Sequence, residues 1–218
     1  MASISNVRVE RIRPVVPEGG LRALPTVELN ERNQALLQAA MAGSIGSPIW
    51  RARKGAEARE LLALSQIADR FRVIEMRMET DMLVVAELRV PVPCLTDPNQ
   101  PLQVAPLAVL GLKYPEAVLT EALPGLAFVQ ILLPSHVWLA QVPLDRRQPL
   151  CLGPRMPLGI PLREIVILTY GALSMQTVQL DPGDAAGVLN AEAARFWQAN
   201  ADKIPLTRAP FLSAAEDR

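Results

Sequence analysis

The hydrophobic positions of the chain follow a helical period first and a strand period afterwards. Apolar residues recur at helical spacing over residues 28–41 and again over residues 49–71, where the opposite face is charged. Ser47 and Pro48 suit the N-cap and the first position of the second helix. From residue 74 onward apolar and polar residues alternate, as in a half-buried strand. The pattern therefore predicts two helices followed by a sheet.

The alternating region predicts a β-hairpin with a turn at residues 79–81. The residues expected to face the core are Ile74, Met76 and Met78 in the first strand and Val84, Ala86, Leu88 and Val90 in the second. Pro91 and Pro93 end the second strand, because proline cannot donate to a strand ladder. Two apolar runs, 107–112 and 126–133, predict two further strands of an antiparallel meander.

The chain between residues 134 and 159 shows no period and is predicted to be irregular. Pro161 suits the start of a helix, which we expect over residues 161–175. Asn190 is a good N-cap for a last helix over residues 191–201. The elements together predict an α+β fold that consists of an N-terminal helix, a four-stranded antiparallel meander, a long loop and C-terminal helices.

We expect this domain to span residues 47–218. Residues 1–46 precede it as an N-terminal extension, in which residues 7–12 alternate like a short strand. Half of the 218 residues are hydrophobic, and 22 basic side chains balance 22 acidic ones. This composition excludes a disordered chain, and the zero net charge argues against nucleic acid as a partner bound through charge.

The N-terminal sequence lacks the apolar core of a signal peptide, so we expect a cytoplasmic protein with reduced cysteines. The longest uncharged run, residues 122–144, contains Pro124, Pro134 and Pro143. A helix exposed to lipid tolerates such prolines poorly, so the run is predicted to be strand and loop, with no membrane partner.

Few kinds of catalytic site fit this chain. His136 is the only histidine, and with two distant cysteines it gives poor material for zinc. The sequence has no Gly-x-Ser-x-Gly elbow, no Gly-x-Gly-x-x-Gly motif and no P-loop. We therefore expect neither a metal nor a cofactor.

Cys151 is the strongest candidate for chemistry because it lies in the irregular segment. Arg146, Arg147 and Arg155 are near it in sequence and would favour a thiolate if they approach it. The alternative is a buried structural cysteine, since cysteine is among the residues most often buried. Cys94 carries no motif and is expected to be structural.

Short motifs occur in a fixed order along residues 50–203. Tyr114-Pro115 forms a turn after the third strand, His136 follows the fourth strand, and Cys151-Leu152 precedes a helix. The last helix opens with Leu-Asn-Ala-Glu-Ala-Ala from residue 189. This order resembles the catalytic core of ubiquitin-conjugating enzymes, which have a Tyr-Pro turn, a His-Pro-Asn motif, a Cys-Leu pair and a Pro-Leu-Asn-x-Glu-Ala-Ala helix start. The resemblance implies the same fold.

The chain departs from the family at the His-Pro-Asn motif. Val137 and Trp138 stand in place of Pro and Asn, so the side chain proposed to steady the oxyanion is missing. His136 and Cys151 are also further apart than in eukaryotic members. This divergence resembles the bacterial branch, whose genes lie beside those for a ubiquitin-like protein, an activating enzyme and a JAB-type peptidase. Some of these gene sets act in antiphage defence.

The resemblance implies an enzyme that carries a ubiquitin-like protein as a thioester on Cys151. The activating enzyme, which uses ATP, would supply the thioester, and an acceptor would take the ubiquitin-like protein. The activating enzyme is expected to dock on the first helix through Arg51, Arg53, Lys54 and Glu57. Two alternatives remain open: a catalytically inactive binding or scaffold module of the same fold, and an unrelated α+β structural subunit.

The resemblance also implies roles for the residues around Cys151. His136 is expected to order the loop by hydrogen bonds. Gln148, Gln141 and backbone N–H groups are the candidates for stabilising the oxyanion. Asp184 or Asp181 is expected to orient the incoming amine, and each suits a turn equally well.

Overall fold

The computed structural model describes residues 27–96, 100–181, 183–184 and 187–212. The strand predicted over residues 7–12 lies outside this part of the chain. Two helices come first, α1 (Glu31–Ala42) and α2 (Pro48–Ile67). The predicted N-cap of α2 is confirmed, because Ser47 Oγ accepts a hydrogen bond from Trp50 N at 3.1 Å. Helix α2 ends four residues earlier than predicted, since the chain turns at residues 68–70 and enters a strand.

Six strands follow: β1 (Phe71–Met78), β2 (Met82–Leu88), β3 (Val92–Cys94), β4 (Gln103–Ala105), β5 (Ala108–Tyr114) and β6 (Val129–Leu133). A four-stranded antiparallel sheet has the order β1-β2-β5-β6. This arrangement confirms the predicted meander. The pair β3–β4 forms a separate two-stranded sheet that the sequence pattern did not predict. Strands of three residues are too short to show a period.

One inward-facing residue of β1 was predicted wrongly. Ile74 is 41% exposed, whereas its neighbour Val73 is buried. A register shift between Val73 and Glu75 accounts for the difference, because it changes the face on which the preceding side chains lie. Met76 and Met78 lie beyond the shift and are buried as predicted.

In the described residues two α-helices follow the sheet, α3 (Leu162–Leu173) and α4 (Ala191–Ala199). Asn190 is the N-cap of α4, as predicted, and its Oδ1 accepts a hydrogen bond from Ala193 N at 3.0 Å. The core is continuous: α2, α3 and α4 contribute buried side chains that include Trp50, Tyr170 and Trp197. The sheet contributes the inward faces of its four strands.

The charged face expected on α2 is only partly exposed. Lys54 is fully buried, and its ammonium group donates hydrogen bonds to the carbonyls of Ile45 and Glu79. Burial lowers the pKa of Lys54. Glu57 is 4% exposed and faces α3. The surface expected to receive an activating enzyme therefore lacks these two side chains, while Arg51 is exposed.

Candidate active site

Cys151 lies immediately after a short extended segment at the edge of the main sheet. Gln130 of β6 is bridged to Pro149. Ile131 N donates to Gln148 O, and Leu150 N donates to Val129 O, both at 3.0 Å. The position of Cys151 is therefore set by main-chain pairing with the last strand of the sheet.

The Cys151 side chain is 5% exposed. Its backbone N–H donates to Gln141 O at 3.0 Å, and its thiol donates to Gly153 O over an S···O distance of 3.7 Å. The three arginines near it in sequence, Arg146, Arg147 and Arg155, are exposed to solvent.

Gly125 holds the Cys151 loop against the segment that precedes β6. Its N–H donates to Gly153 O at 3.0 Å. A Cβ at this position would lie 2.6 Å from Gly153 O and 2.8 Å from Leu152 N, which are both backbone atoms. Only glycine allows the two backbones to approach so closely. Sequence reasoning missed this residue, because a glycine in a loop gives no signal of what it contacts.

His136 lies at the tip of the turn that follows β6, and it adopts a positive φ of 59°. Its side chain is exposed. The turn is held to β3 by main-chain hydrogen bonds, since Leu95 N donates to His136 O at 2.9 Å and Trp138 N donates to Pro93 O at 2.7 Å. These two contacts are formed by the backbone of the turn.

Gln148 connects the His136 turn to the segment that leads to Cys151. Its Oε1 accepts from Val137 N at 2.8 Å, and its amide nitrogen donates to Pro134 O at 2.8 Å and to Ile131 O at 3.2 Å. The side chain is 6% exposed. Both amide hydrogens therefore bind backbone carbonyls, and the Gln148 side chain helps to order the turn beside its main-chain hydrogen bonds.

Gln141 lies beside Cys151 in a buried segment over residues 137–142. Its backbone carbonyl accepts from Cys151, and its amide nitrogen donates to Thr177 O at 3.3 Å. Within the described ranges its Oε1 has no hydrogen-bond partner, although the side chain is 6% exposed. Gln141 therefore joins the Cys151 loop to the segment that follows α3.

The two aspartates predicted for the incoming amine form turns before α4. Asp181 Oδ1 accepts from Gly183 N at 2.9 Å, which is an Asx turn. Asp184 Oδ2 accepts from Gln179 Nε2 at 3.0 Å. This segment is held to residues 137–142, because Leu189 N donates to Ala140 O at 2.8 Å. The fold thus brings the Asp184 segment and the Cys151 loop to the same buried segment, residues 137–142.

Cys94 occupies a different environment from Cys151. It lies in β3, is buried, and its thiol donates to Val92 O at 3.5 Å. Burial raises the pKa of Cys94, because it disfavours the thiolate. These contacts agree with the structural role expected for this residue.

A buried polar network fixes the far end of the Cys151 loop, where α3 begins. Glu57 Oε2 accepts from Leu162 N at 2.7 Å, and Glu57 Oε1 pairs with Arg53 Nη2 at 2.7 Å. The Tyr114 hydroxyl donates to Ile160 O at 2.7 Å. Burial raises the pKa of Glu57, and burial beside the Glu57 carboxylate raises the pKa of Tyr114 to about 12. The Glu57 carboxylate therefore accepts a backbone N–H at the start of α3. A side-chain N-cap usually does this, and Pro161 has no side-chain acceptor for it.

Sequence reasoning missed this network. The spacing of four residues between Arg53 and Glu57 was the one signal, and it usually marks an exposed pair on a helix. Tyr114 was singled out as part of a turn, without a hydrogen-bond role. The network became visible only when α2, β5 and α3 were packed together.

A cavity of about 660 Å³ lies on the outer face of the main sheet and does not include Cys151. Over the described ranges, none of the helices combines the length and the apolar character needed to span a membrane. The same residues contain no group of three or more His, Cys, Asp or Glu side chains placed to hold a metal ion.

Comparisons with models of protein families, with curated proteins and with solved structures gave no match.

Proposed function

We propose that the protein carries a ubiquitin-like protein as a thioester on Cys151 and transfers it to an acceptor, as ubiquitin-conjugating enzymes do. The observation that carries this proposal is the position of Cys151. It follows a segment paired with the last strand of an antiparallel meander and precedes α3, in the order in which the family places its nucleophile. A bacterial conjugation pathway in antiphage defence is the setting that the resemblance suggests.

The proposed reaction has two acyl transfers. The Cys151 thiolate attacks the thioester carbonyl on the activating enzyme, and the cysteine of that enzyme leaves as a thiolate. An amine of the acceptor then attacks the new thioester, loses a proton and releases the Cys151 thiolate. Cysteine suits both steps, because a thiolate is a good nucleophile and a good leaving group.

Each transfer passes through a tetrahedral oxyanion that needs hydrogen-bond donors. Gln148 already donates both amide hydrogens to carbonyls, so we assign it a positioning role. Gln141 is the remaining side-chain candidate, since its amide nitrogen donates to Thr177 O and carries a second hydrogen. His136, which is exposed in the turn after β6, stays a candidate site residue. Asp184 stays the candidate that orients the amine.

The second candidate function is a binding or scaffold module of the same fold, without catalysis. The burial of Cys151 favours it, because a sulfur atom in a side chain that is 5% exposed cannot meet a protein thioester until the loop moves. Under this alternative Cys151 packs the loop against Gly153, and the protein recognises its partners without forming a covalent bond.

Thioester formation separates the two candidates. The protein is incubated with ATP and with the activating enzyme and ubiquitin-like protein encoded beside it, and the products are run on a gel without reductant. We expect an adduct that reductant removes, that Cys151→Ala abolishes and that Cys94→Ala retains. Cys151→Ser should trap an oxyester that resists reductant. If no adduct forms although the activating enzyme is itself charged, the binding module is supported.

Thiol alkylation gives an independent measurement on the isolated protein. At neutral pH we expect iodoacetamide to label Cys151 faster than Cys94, because burial raises the pKa of Cys94 and so lowers the fraction of its thiolate. Mass spectrometry of Cys94→Ala and Cys151→Ala gives the two rates separately. Equal or slower labelling of Cys151 would count against a catalytic thiol.

A further inference from the structure

A second, polar cavity of about 410 Å³ lies away from the Cys151 loop, where α1 and the end of α2 meet the start of β1 and the end of β2. Four arginines and two carboxylates line it: Arg32, Arg70, Arg72, Arg89, Asp69 and Glu87. Nothing in the proposed thioester chemistry uses these side chains. We name this cavity the arginine groove.

Three of the arginines are held in place by hydrogen bonds. Glu87 binds two of them, because its Oε2 pairs with Arg72 Nη2 at 2.9 Å and its Oε1 pairs with Arg89 Nε at 3.4 Å. Arg32 Nη2 donates to the carbonyl of Val73 at 3.2 Å. Guanidinium groups that are already oriented lose less conformational entropy when a ligand binds.

The arginine groove has more positive than negative charge. One carboxylate, Glu87, serves two guanidinium groups, so one positive charge is left over. Arg32 is bound to a neutral carbonyl and adds a second positive charge. The formal charges of Asp69 and Arg70 cancel. Arginine stays protonated throughout the physiological pH range, so this excess does not depend on pH.

Neutral polar side chains of the groove make hydrogen bonds within the protein. Asn33 Nδ2 donates to Leu62 O and to Gln66 Oε1, and Gln66 Nε2 donates to Glu28 O. Ser65 Oγ accepts from Val73 N at 3.1 Å. The charged donors that remain for a ligand are the guanidinium N–H groups, beside the amide of Asn30 and the hydroxyl hydrogen of Ser65. Arg70 Nε is one buried donor without a partner in the described part of the chain.

We propose that the arginine groove binds the phosphate group of a small molecule. Two excess positive charges match a phosphate monoester, which carries about −1.5 to −2 at pH 7. Arginine binds phosphate through paired, parallel N–H···O hydrogen bonds, and the guanidinium groups of the groove carry the donors for them. The cavity volume also falls within the range of small-molecule pockets, roughly 300–1,000 Å³.

Calorimetric titration of the full chain with AMP and with inorganic phosphate tests this proposal at low salt. We expect AMP to bind with a dissociation constant below about 1 mM, and 0.5 M NaCl to weaken binding about tenfold or more because exposed charges are screened. Arg32→Gln and Arg89→Gln should each weaken binding about tenfold. Both side chains are exposed, so the fold should tolerate the change, and circular dichroism checks this.

Arg59→Gln is the matched control, because it removes the same charge from an exposed position on α2 outside the groove. Equal weakening by this control would overturn the proposal, since it would show non-specific attraction. Adenosine binding as tightly as AMP would overturn it as well, and so would the absence of binding at 5 mM AMP. Tighter binding of a glutamate-rich peptide than of AMP would replace it with an acidic protein partner. Inorganic phosphate and AMP binding alike would indicate recognition of the phosphate alone.

Discussion

The loop that carries Cys151 is held at its two ends by different chemistry. At the strand end the neutral amide of Gln148 binds three backbone groups. At the helix end the charged Glu57 and Arg53, together with Tyr114, bind the chain where α3 begins. We call these the amide anchor and the ionic anchor.

The comparison shows that the two ends should respond differently to pH. A side-chain amide does not ionise in the pH range where the protein is folded, so the amide anchor does not depend on pH. The ionic anchor contains two groups whose pKa values are raised by burial, Glu57 and Tyr114. The ordering of α3 relative to the Cys151 loop is therefore linked to protonation, whereas the ordering of the His136 turn is not.

The largest effect is expected for Glu57→Ala. The change leaves the N–H of Leu162 and the guanidinium of Arg53 without their buried acceptor, and it should lower the free energy of unfolding by about 3–4 kcal/mol. Urea denaturation at pH 7 measures this loss. Glu60→Ala, one turn away and more exposed, is the control. A loss below about 1 kcal/mol would show that the ionic anchor contributes little.

Tyr114→Phe should remove a loss of stability at high pH. The tyrosine hydroxyl ionises near pH 10 in the unfolded chain and near pH 12 in the folded protein, so wild-type stability falls as the pH rises through this window. The fall is roughly 2–3 kcal/mol, at about 1.4 kcal/mol per unit. Denaturation curves between pH 9 and about pH 12 measure the difference from wild type. Parallel curves would contradict this assignment.

Gln148→Ala should lower the free energy of unfolding by about 2 kcal/mol, since Val137 N–H and two carbonyls lose a buried partner. The loss should be the same at pH 5 and pH 8, which distinguishes the amide anchor from the ionic anchor. Iodoacetamide should also label Cys151 faster in this variant, because the loop is less ordered. Gln38→Ala, at an exposed position on α1, is the control.

The smallest effect is expected for Glu57→Gln, which keeps an acceptor for Leu162 N–H but removes the charge. The stability change should be about 1 kcal/mol or less. Because the pKa of Glu57 is raised, wild-type stability falls as the pH rises from the ordinary value of 4.5 through the raised value. The variant should lack this fall, so its stability relative to wild type should rise with pH. A constant difference between pH 4 and pH 8 would show that Glu57 is not linked to pH.

Local patterns were sufficient wherever one residue and its neighbours decide the structure. The N-caps Ser47 and Asn190 were predicted because each satisfies backbone donors within its own first turn. The inward face of β2 was predicted because its alternation is unbroken. Ile74 was misplaced because a register shift depends on the partner strand, which a single strand's pattern does not contain.

In the candidate site, too, the sequence indicated some residues but not the contacts that they make. The sequence singled out Cys151, His136 and Gln148, because cysteine and histidine are rare and the motif order is readable. It assigned loop ordering to His136 and not to Gln148, whose buried amide binds the same turn. The choice depends on which side chain is buried against the turn, and burial is a property of the folded chain.

By itself, the sequence determined the fold class, the number and order of the main strands, and the N-caps of α2 and α4, because these follow from periods and caps within a few residues. The tertiary structure alone decided which polar side chains are buried and what they bind. Glu57 meets Leu162 across 105 residues of chain, and Gly125 meets the Cys151 loop at Gly153. Such contacts form only when distant segments pack together. Packing also removes water from the polar groups, which strengthens their hydrogen bonds and makes an unpaired group costly.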